Sequence, residues 1–289
     1  MSAPTAPARG RWAELGRFLE IQNLGLNLPF ALGFLLVAAR GPPSLRVFLL
    51  VVVAFVAART AGHAFNRWAD RSYDAQNPRT RDRALVTGRL SPRFALVLTA
   101  LSATALVVAA GLLNTLALIL APVALALILG YSYTKRFTSA TTVVLGVVEA
   151  ITPAAAFVAV QARLPPEALL ASVALLCWGT AFETVHSLGD LEMDRRMGLR
   201  SIPVRIGAGR SLLLVGLLHA SALSLLLIFG ALSGLAWPYF AFVGAMAAVV
   251  ARVDLRLARH PNETGTAFQA HFVLSALFLA GVVGALLVV

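Results

Sequence analysis

Apolar positions along this chain fall in long unbroken runs, not in the narrow stripes of a water-soluble amphipathic helix. Nine runs stand out, at 21–39, 45–66, 92–112, 115–133, 140–160, 166–187, 211–232, 237–252 and 267–288. Most reach the roughly 20 residues a helix needs to cross a bilayer. The eighth run is short, and only a Leu-Asn turn near Asn114 parts the third from the fourth. An eight-span count therefore stays open beside nine. The pattern predicts an all-α, polytopic membrane bundle: one transmembrane domain over 1–289, with a polar segment at 1–20 and polar loops at 67–91 and 188–210.

Composition agrees. Hydrophobic residues make up 59% of the chain and charged residues 13%, against roughly 25% charged in soluble domains. The single cysteine, Cys177, excludes an intrachain disulfide and a cysteine-based metal cluster. The start, MSAPTAPARGRWAELGR, has no apolar core, so the first span itself is expected to direct insertion.

The net charge of +11 comes almost wholly from arginine, with Lys135 the only lysine. Twenty of the 24 basic residues fall on one side of a nine-span arrangement: in the amino-terminal segment (Arg9, Arg11, Arg17) and in the loops after the second, fourth, sixth and eighth spans. Positive loops stay in the cytoplasm. The expectation is an integral cell-membrane protein with a cytoplasmic amino terminus and cytoplasmic 67–91 and 188–210 loops. Arginine interleaved with spans argues against a nucleic-acid partner; the partner is the bilayer.

Two polar triplets recur at an offset of 120 residues: Asn66, Asp70, Asp74 and His186, Asp190, Asp194. Each closes an even-numbered span and opens an arginine-rich loop. This predicts two four-helix halves facing one site, with a ninth helix added. The spacing i, i+4, i+8 puts Asn66, Asp70 and Asp74 on one helical face over about 12 Å of rise. Glu183, at i, i+7 with Asp190 and so on the same helical face, joins the second cluster. Carboxylates are hard ligands suited to magnesium, which is usually shared with substrate phosphates. A solvated helix end, with Asp70 or Asp74 paired to Arg71, would explain the first cluster equally simply. Two acidic clusters on one side of a membrane would repel each other, and a magnesium-diphosphate complex between them would relieve that. Asn77, Arg79, Arg83, Lys135 and Arg136 offer the anion's counter-charges, although topology alone also accounts for any single loop arginine.

These residues resemble the UbiA superfamily of intramembrane aromatic prenyltransferases. The resemblance rests on N-x-x-x-D-x-x-x-D at 66–74, NPRT-x-x-R-x-L-x-x-G-x-L-S at 77–91, Y-x-x-x-K-R at 131–136 and D-x-E-x-D-R-R-x-G-L-x-S-I-P at 190–203. It implies a nine-helix bundle around a central cavity and transfer of a prenyl group from a prenyl diphosphate to a lipophilic acceptor, often a phenol or naphthol. It also implies Mg2+ bridging the diphosphate and both clusters. Asn66, Asp70, Asp74, Asp190 and Asp194 would then form the metal site with Glu183, and Arg79, Arg83, Tyr131, Lys135 and Arg136 would hold diphosphate oxygens together with Asn66.

The chain departs from the family pattern at Glu183, where many members have Asp, and at His186-Ser187, where they have Tyr-Ala. His186 faces the acceptor or diphosphate, or packs between helices. Arg59 and His63 lie deeper on the face of Asn66. In members acting on hydroxybenzoates, an arginine like Arg59 resembles the group that meets the acceptor carboxylate; an internal pair with Glu149 is the other reading. Asn23 and Asn27 line the cavity or bond neighbouring helices. The NPRT segment looks more like quinone-pathway members than haem-modifying ones. Haem, chlorophyll or ether-lipid acceptors remain alternatives within the superfamily, and a transporter or a non-catalytic prenyl-lipid binder outside it.

Overall fold

Each apolar run becomes a helix, and local chemistry marks where it stops. The computed structural model describes residues 11–261 and 263–288, without the side chains of Arg11 and Trp12. Arg9 and the Arg11 side chain, counted in the amino-terminal basic cluster, lie outside the described residues. A short helix α1 (Arg11–Phe18) leads through a 3-10 turn into α2 (Leu24–Ala39). Ser44 caps α3 (Leu45–Ala69), its hydroxyl accepting from the Val47 N–H at 3.4 Å. The chain then breaks at Asp70 and resumes as one turn, α4 (Arg71–Asp74).

Ser91 and Pro92 open α5 (Pro92–Leu113), an N-cap followed by proline where its missing N–H costs nothing. Asn114 alone separates α5 from α6 (Thr115–Gly130). Its backbone is extended, its Oδ1 accepts from Ala117 N at 2.9 Å, and its Nδ2 donates to the Val158 carbonyl at 2.8 Å. One residue thus turns the chain back on itself, and the two short runs are separate helices. A 3-10 segment, Tyr131–Arg136, continues α6 before α7 (Thr141–Gln161).

Helix α8 (Pro166–Gly189) ends at Asp190, the second break, and continues as α9 (Leu191–Arg196) and α10 (Ile202–Ile206). Three long helices close the bundle: α11 (Ala208–Leu232), α12 (Trp237–Arg259) and α13 (Thr264–Val288). Among the described residues nine helices have 16 residues or more. Eight long helical segments are apolar and long enough to cross a membrane. The ninth long helix, α12, runs seven residues past the expected end at 252; its last turns carry Arg252, Asp254, Arg256 and Arg259, which end the apolar run without ending the helix. Hydropathy therefore supports eight spans where nine were expected.

The core lies to one side of the bundle. Phe30 and Phe34 of α2, Phe157 of α7, Trp178 of α8, Phe229 of α11, Tyr239 of α12 and Phe278 of α13 interlock there. Tyr239 is fully buried and donates its hydroxyl to the Leu226 carbonyl at 2.9 Å. Helices α7 and α8 approach closely at paired glycines; a Cβ on Gly179 would stand 3.1 Å from the Gly146 Cα. Large apolar side chains such as Leu45, Leu101, Leu213 and Leu287 point outward. That inversion of a soluble surface suits a lipid solvent, and the chain is an integral membrane protein.

All the arginine-rich loops meet at one end of the bundle. Arg89 reaches Glu14 at 3.0 Å, Arg136 reaches the Ala69 carbonyl at 2.8 Å, and Arg200 donates to the Phe137 carbonyl at 2.7 Å. At the other end α7 stops with Ala162 in the left-handed region, φ 50° and ψ 31°, its N–H bonded to the Val158 carbonyl. A Cβ is disfavoured there. Ala162→Gly is expected to stabilise the protein by about 1 kcal/mol; reversible denaturant unfolding in mixed micelles measures it, and an unchanged or lower midpoint contradicts it.

Candidate active site

The two helix breaks build the site. At Asp70 the backbone leaves the helical region (φ −92°, ψ 5°), and at Asp190 it does the same (φ −102°, ψ 4°). On either side the turn is held identically: Asp74 N–H donates to the Asp70 carbonyl at 2.8 Å, and Asp194 N–H to the Asp190 carbonyl at 2.8 Å. The two motifs, 120 residues apart, thus have one geometry. This corrects the expectation of a continuous helix through 66–74: the face-sharing survives, but a bend at Asp70 swings Asp74 inward, where it is 7% exposed.

A cavity of about 700 Å³ opens between the two breaks. Asp70, Asp74, Asp190 and Asp194 line it, with Asn66 and Glu183. Arg79, Arg83, Tyr131, Lys135 and Arg136 line the same mouth, and Arg59, His63, His186, Asn23 and Asn27 also belong to its polar lining. Every candidate site residue read from sequence therefore borders one cavity. Its lower walls are apolar, formed by residues such as Val51 and Phe55 of α3, Leu120 of α6 and Val148 of α7.

Partners at the mouth cross between motifs. Arg79 grips Asp190 with two hydrogen bonds, 3.2 Å from Nε and 2.7 Å from Nη2. Arg83 Nη1 meets both Asp74 oxygens at 2.7 Å. Asp70 accepts from Asn66 at 2.9 Å and pairs with Arg136 at 3.4 Å. Arg136 is fixed from the other side by Tyr133 and Tyr73, whose ring centroids lie 4.7 and 5.2 Å from its guanidinium carbon. Neither aspartate pairs with Arg71, the partner that adjacency favoured. Tyr131 donates to Glu183 at 2.8 Å.

Burial governs the electrostatics of two of the mouth carboxylates, Asp70 and Asp194. Burial, and then the nearby Asp74, push Asp70 above the usual carboxylate range, with Lys135 and Arg136 offsetting only part. Asp194 is also raised, by burial and then by Asp190 against the pull of Lys135. Its Oδ2 is buried without a hydrogen-bond partner among the described residues. No three such side chains converge into a ready-made metal centre among the described residues. The donor set is oxygen-only, with carboxylates on both sides of the mouth and one orphaned acidic oxygen. That fits magnesium, which needs few protein ligands when phosphate oxygens and water supply the rest.

Deeper in, Arg59 Nε is buried with no partner among the described residues. Glu149 instead accepts from Asn27 Nδ2 at 2.8 and 2.9 Å. Asn23 bonds Glu20 at 2.9 Å. His186 stacks on Phe182, centroids 6.5 Å apart, so it forms wall as well as lining. Sequence reasoning missed Glu20 and Arg67. Arg67 is 6% exposed, donates to the Phe18 carbonyl at 2.8 Å and to Glu20 at 2.5 Å, and locks α1 to α3 beside the mouth. An acidic residue at the edge of an apolar run, the signal that picked out Glu183, was present at Glu20 too.

A family model described as the UbiA prenyltransferase family matches residues 27–282. A 4-hydroxybenzoate octaprenyltransferase from Ectopseudomonas mendocina (strain ymp) is 35% identical over 215 residues, covering 72% of this chain and 73% of that protein. One of the same name from Nitrosomonas eutropha is 32% identical over 278 residues, covering 94% and 95%. Among solved structures, a UbiA homolog from Aeropyrum pernix K1 superposes with a TM-score of 0.83 at 31% identity, over 91% of this chain and 98% of that one. A UbiA homolog from Archaeoglobus fulgidus bound to DMAPP and Mg2+ shares the fold, with a TM-score of 0.71 at 18% identity over 96% and 100%.

Glu20 illustrates how tightly the mouth is balanced. Burial alone would raise its pKa, but Arg67 and His63 outweigh that and hold it below its ordinary value of 4.5. Its stabilising contribution is therefore complete above pH 4.5 and is lost as pH falls through the lowered folded value. Glu20→Gln strands Arg67 and is expected to destabilise by about 3 kcal/mol near neutral pH. The loss should shrink on acidification, and a loss that is the same at pH 7 and pH 3.5 rules out the pairing as its cause.

Proposed function

The chain belongs to the UbiA prenyltransferase family, and from that premise we propose that it transfers a prenyl group from a magnesium-bound prenyl diphosphate to a lipophilic aromatic acceptor. The observation that carries this reading is the pair of matching helix breaks. They present four aspartates, three of them paired with arginines, around one mouth above an apolar cavity. A diphosphate needs the mouth; a prenyl chain needs the walls. Two structures of a UbiA homolog from Archaeoglobus fulgidus with this fold hold Mg2+ with DMAPP or with GPP, ligands of the class proposed here.

In this reading Asn66, Asp70, Asp74, Glu183, Asp190 and Asp194 hold the metal side of the substrate. Bound there, magnesium supplies Lewis-acid stabilisation of negative charge on the diphosphate. Arg79, Arg83, Lys135, Arg136 and Tyr131 donate to diphosphate oxygens. With the substrate bound, Asp70, Asp74 and Asp190 would be the residues free to hold the metal, and their partners Arg136, Arg83 and Arg79 would be the donors to phosphate oxygens. Because the donors already stand at the mouth, little reorganisation is left for the reaction itself.

The chemistry is electrophilic alkylation. The allylic C–O bond breaks, and its electron pair leaves with the diphosphate, where the basic side chains receive it. The apolar walls keep water from the cation-like carbon. A ring carbon of the acceptor forms the new C–C bond and then loses its proton. Arg59 and His63, below Asn66 on α3, together with Asn27, Asn23 and His186, supply the polar contacts that orient the ring. The excess of arginine in the loops around the mouth supports a cytoplasmic orientation for it, since positive loops stay in the cytoplasm. The name shared by the bacterial relatives, 4-hydroxybenzoate octaprenyltransferase, makes a quinone precursor the acceptor class to test first.

Asp70→Ala and Asp190→Ala are each expected to lower magnesium-dependent transfer by about 100-fold or more. Membranes given labelled geranyl diphosphate and a panel of phenols measure it. Turnover near that of the unaltered protein in either variant, with both variants folded, contradicts the assignment.

A further inference from the structure

Charge is arranged differently at the mouth and in the depth of the cavity. At the mouth, Asp70, Asp74 and Asp190 each meet an arginine. Glu149 lies eight residues into α7, about 12 Å along the helix from its start. It borders the cavity with Arg59, Asn27 and His63. Its hydrogen bonds come from a neutral amide: both carboxylate oxygens accept from Asn27 Nδ2, at 2.8 and 2.9 Å.

The position of this carboxylate is set by packing. Its stem lies over Gly179 of α8, where a Cβ would stand 2.8 Å from Glu149 Cγ and 2.9 Å from its Cβ. The bare glycine therefore makes the notch that seats the side chain. Arg59 and Glu149 act on each other electrostatically, yet Arg59 Nε has no partner among the described residues. The cation and the anion border one chamber without closing on each other.

We propose that Glu149 is a specificity-determining residue that selects an uncharged acceptor bearing a ring hydroxyl and rejects one bearing a carboxylate. This deepens the transferase reading above and rests on it. An arginine alone in an apolar chamber invites a carboxylate. Beside Glu149 the same arginine is already balanced, so an entering carboxylate meets a like charge and still loses its hydration. A hydroxyl fares otherwise. A carboxylate only accepts hydrogen bonds, and each oxygen has two lone pairs, one more than Asn27 engages. A phenol O–H supplies the missing donor. Donation to Glu149 also pushes electron density into the ring, raising the nucleophilicity of the carbons ortho and para to that hydroxyl.

The test separates binding from turnover. The full-length protein in nanodiscs is titrated calorimetrically with hydroquinone and with 4-hydroxybenzoate, which share the ring and one hydroxyl. The unaltered protein is expected to bind hydroquinone at least about tenfold more tightly. Glu149→Gln and Glu149→Ala are each expected to erase that preference, with 4-hydroxybenzoate gaining. Equal or tighter binding of 4-hydroxybenzoate by the unaltered protein overturns the proposal, even if neither variant folds. So does an unchanged ratio in folded variants. Turnover with geranyl diphosphate is read separately. The expected binding preference with no prenylated product overturns the transferase reading alone; product from both acceptors with 4-hydroxybenzoate favoured overturns this inference alone.

Discussion

Hydrocarbon offers no hydrogen bonds, so a chain inside it must satisfy its own backbone, and only uninterrupted helices do so locally. That constraint decides where this protein can be irregular. Of the prolines within α2, α6 and α7, Pro153 is buried against neighbouring helices, Pro29 is half-buried and Pro122 faces outward. The two interruptions at Asp70 and Asp190 come at the end of the bundle where loops and side chains supply partners. The site is built where the backbone can afford to stop being helical. Each break turns a following aspartate inward, and the two together define the mouth.

The same solvent explains what the sequence made legible. Runs of about 20 apolar residues have few alternatives to a spanning helix, so the long elements were readable to within a few residues. The exception was α12, whose last turns are amphipathic and leave hydropathy short by seven residues. Short helices such as α1, α4, α9 and α10 carry no such signal; contacts among loops hold them. The spacing of the two triplets was enough to collect the site on one cavity, since face-sharing survives a bend. The bend itself was not readable, because i, i+4, i+8 fits a straight helix as well as a broken one.

Partner choice was the least legible layer. Adjacency favoured Arg71 for Asp70 and Asp74; the fold gives them Arg136 and Arg83. Arg59 and Glu149 were a natural pair by charge, yet Asn27 holds Glu149 and leaves Arg59 Nε without a partner among the described residues. A glycine notch on α8 and an amide on α2 decide that outcome, and neither announces itself in composition. Pairing depends on distances between helices that are far apart in sequence, and no local pattern encodes those.

This layering has a consequence for specificity within the family. In the proposed reaction the mouth handles the same diphosphate whatever the acceptor, and its residues lie in motifs with fixed spacing around two backbone breaks. The chamber below is assembled from single side chains on separate helices: Asn27 on α2, Arg59 and His63 on α3, Glu149 on α7. Changing one of them disturbs no helix break and no phosphate contact. Acceptor preference can therefore drift by one substitution at a time while the leaving-group chemistry stays intact. Relatives that share a third of their residues with this chain can agree at the mouth and differ in the chamber, so an activity inferred from the motifs fixes the reaction more firmly than the acceptor.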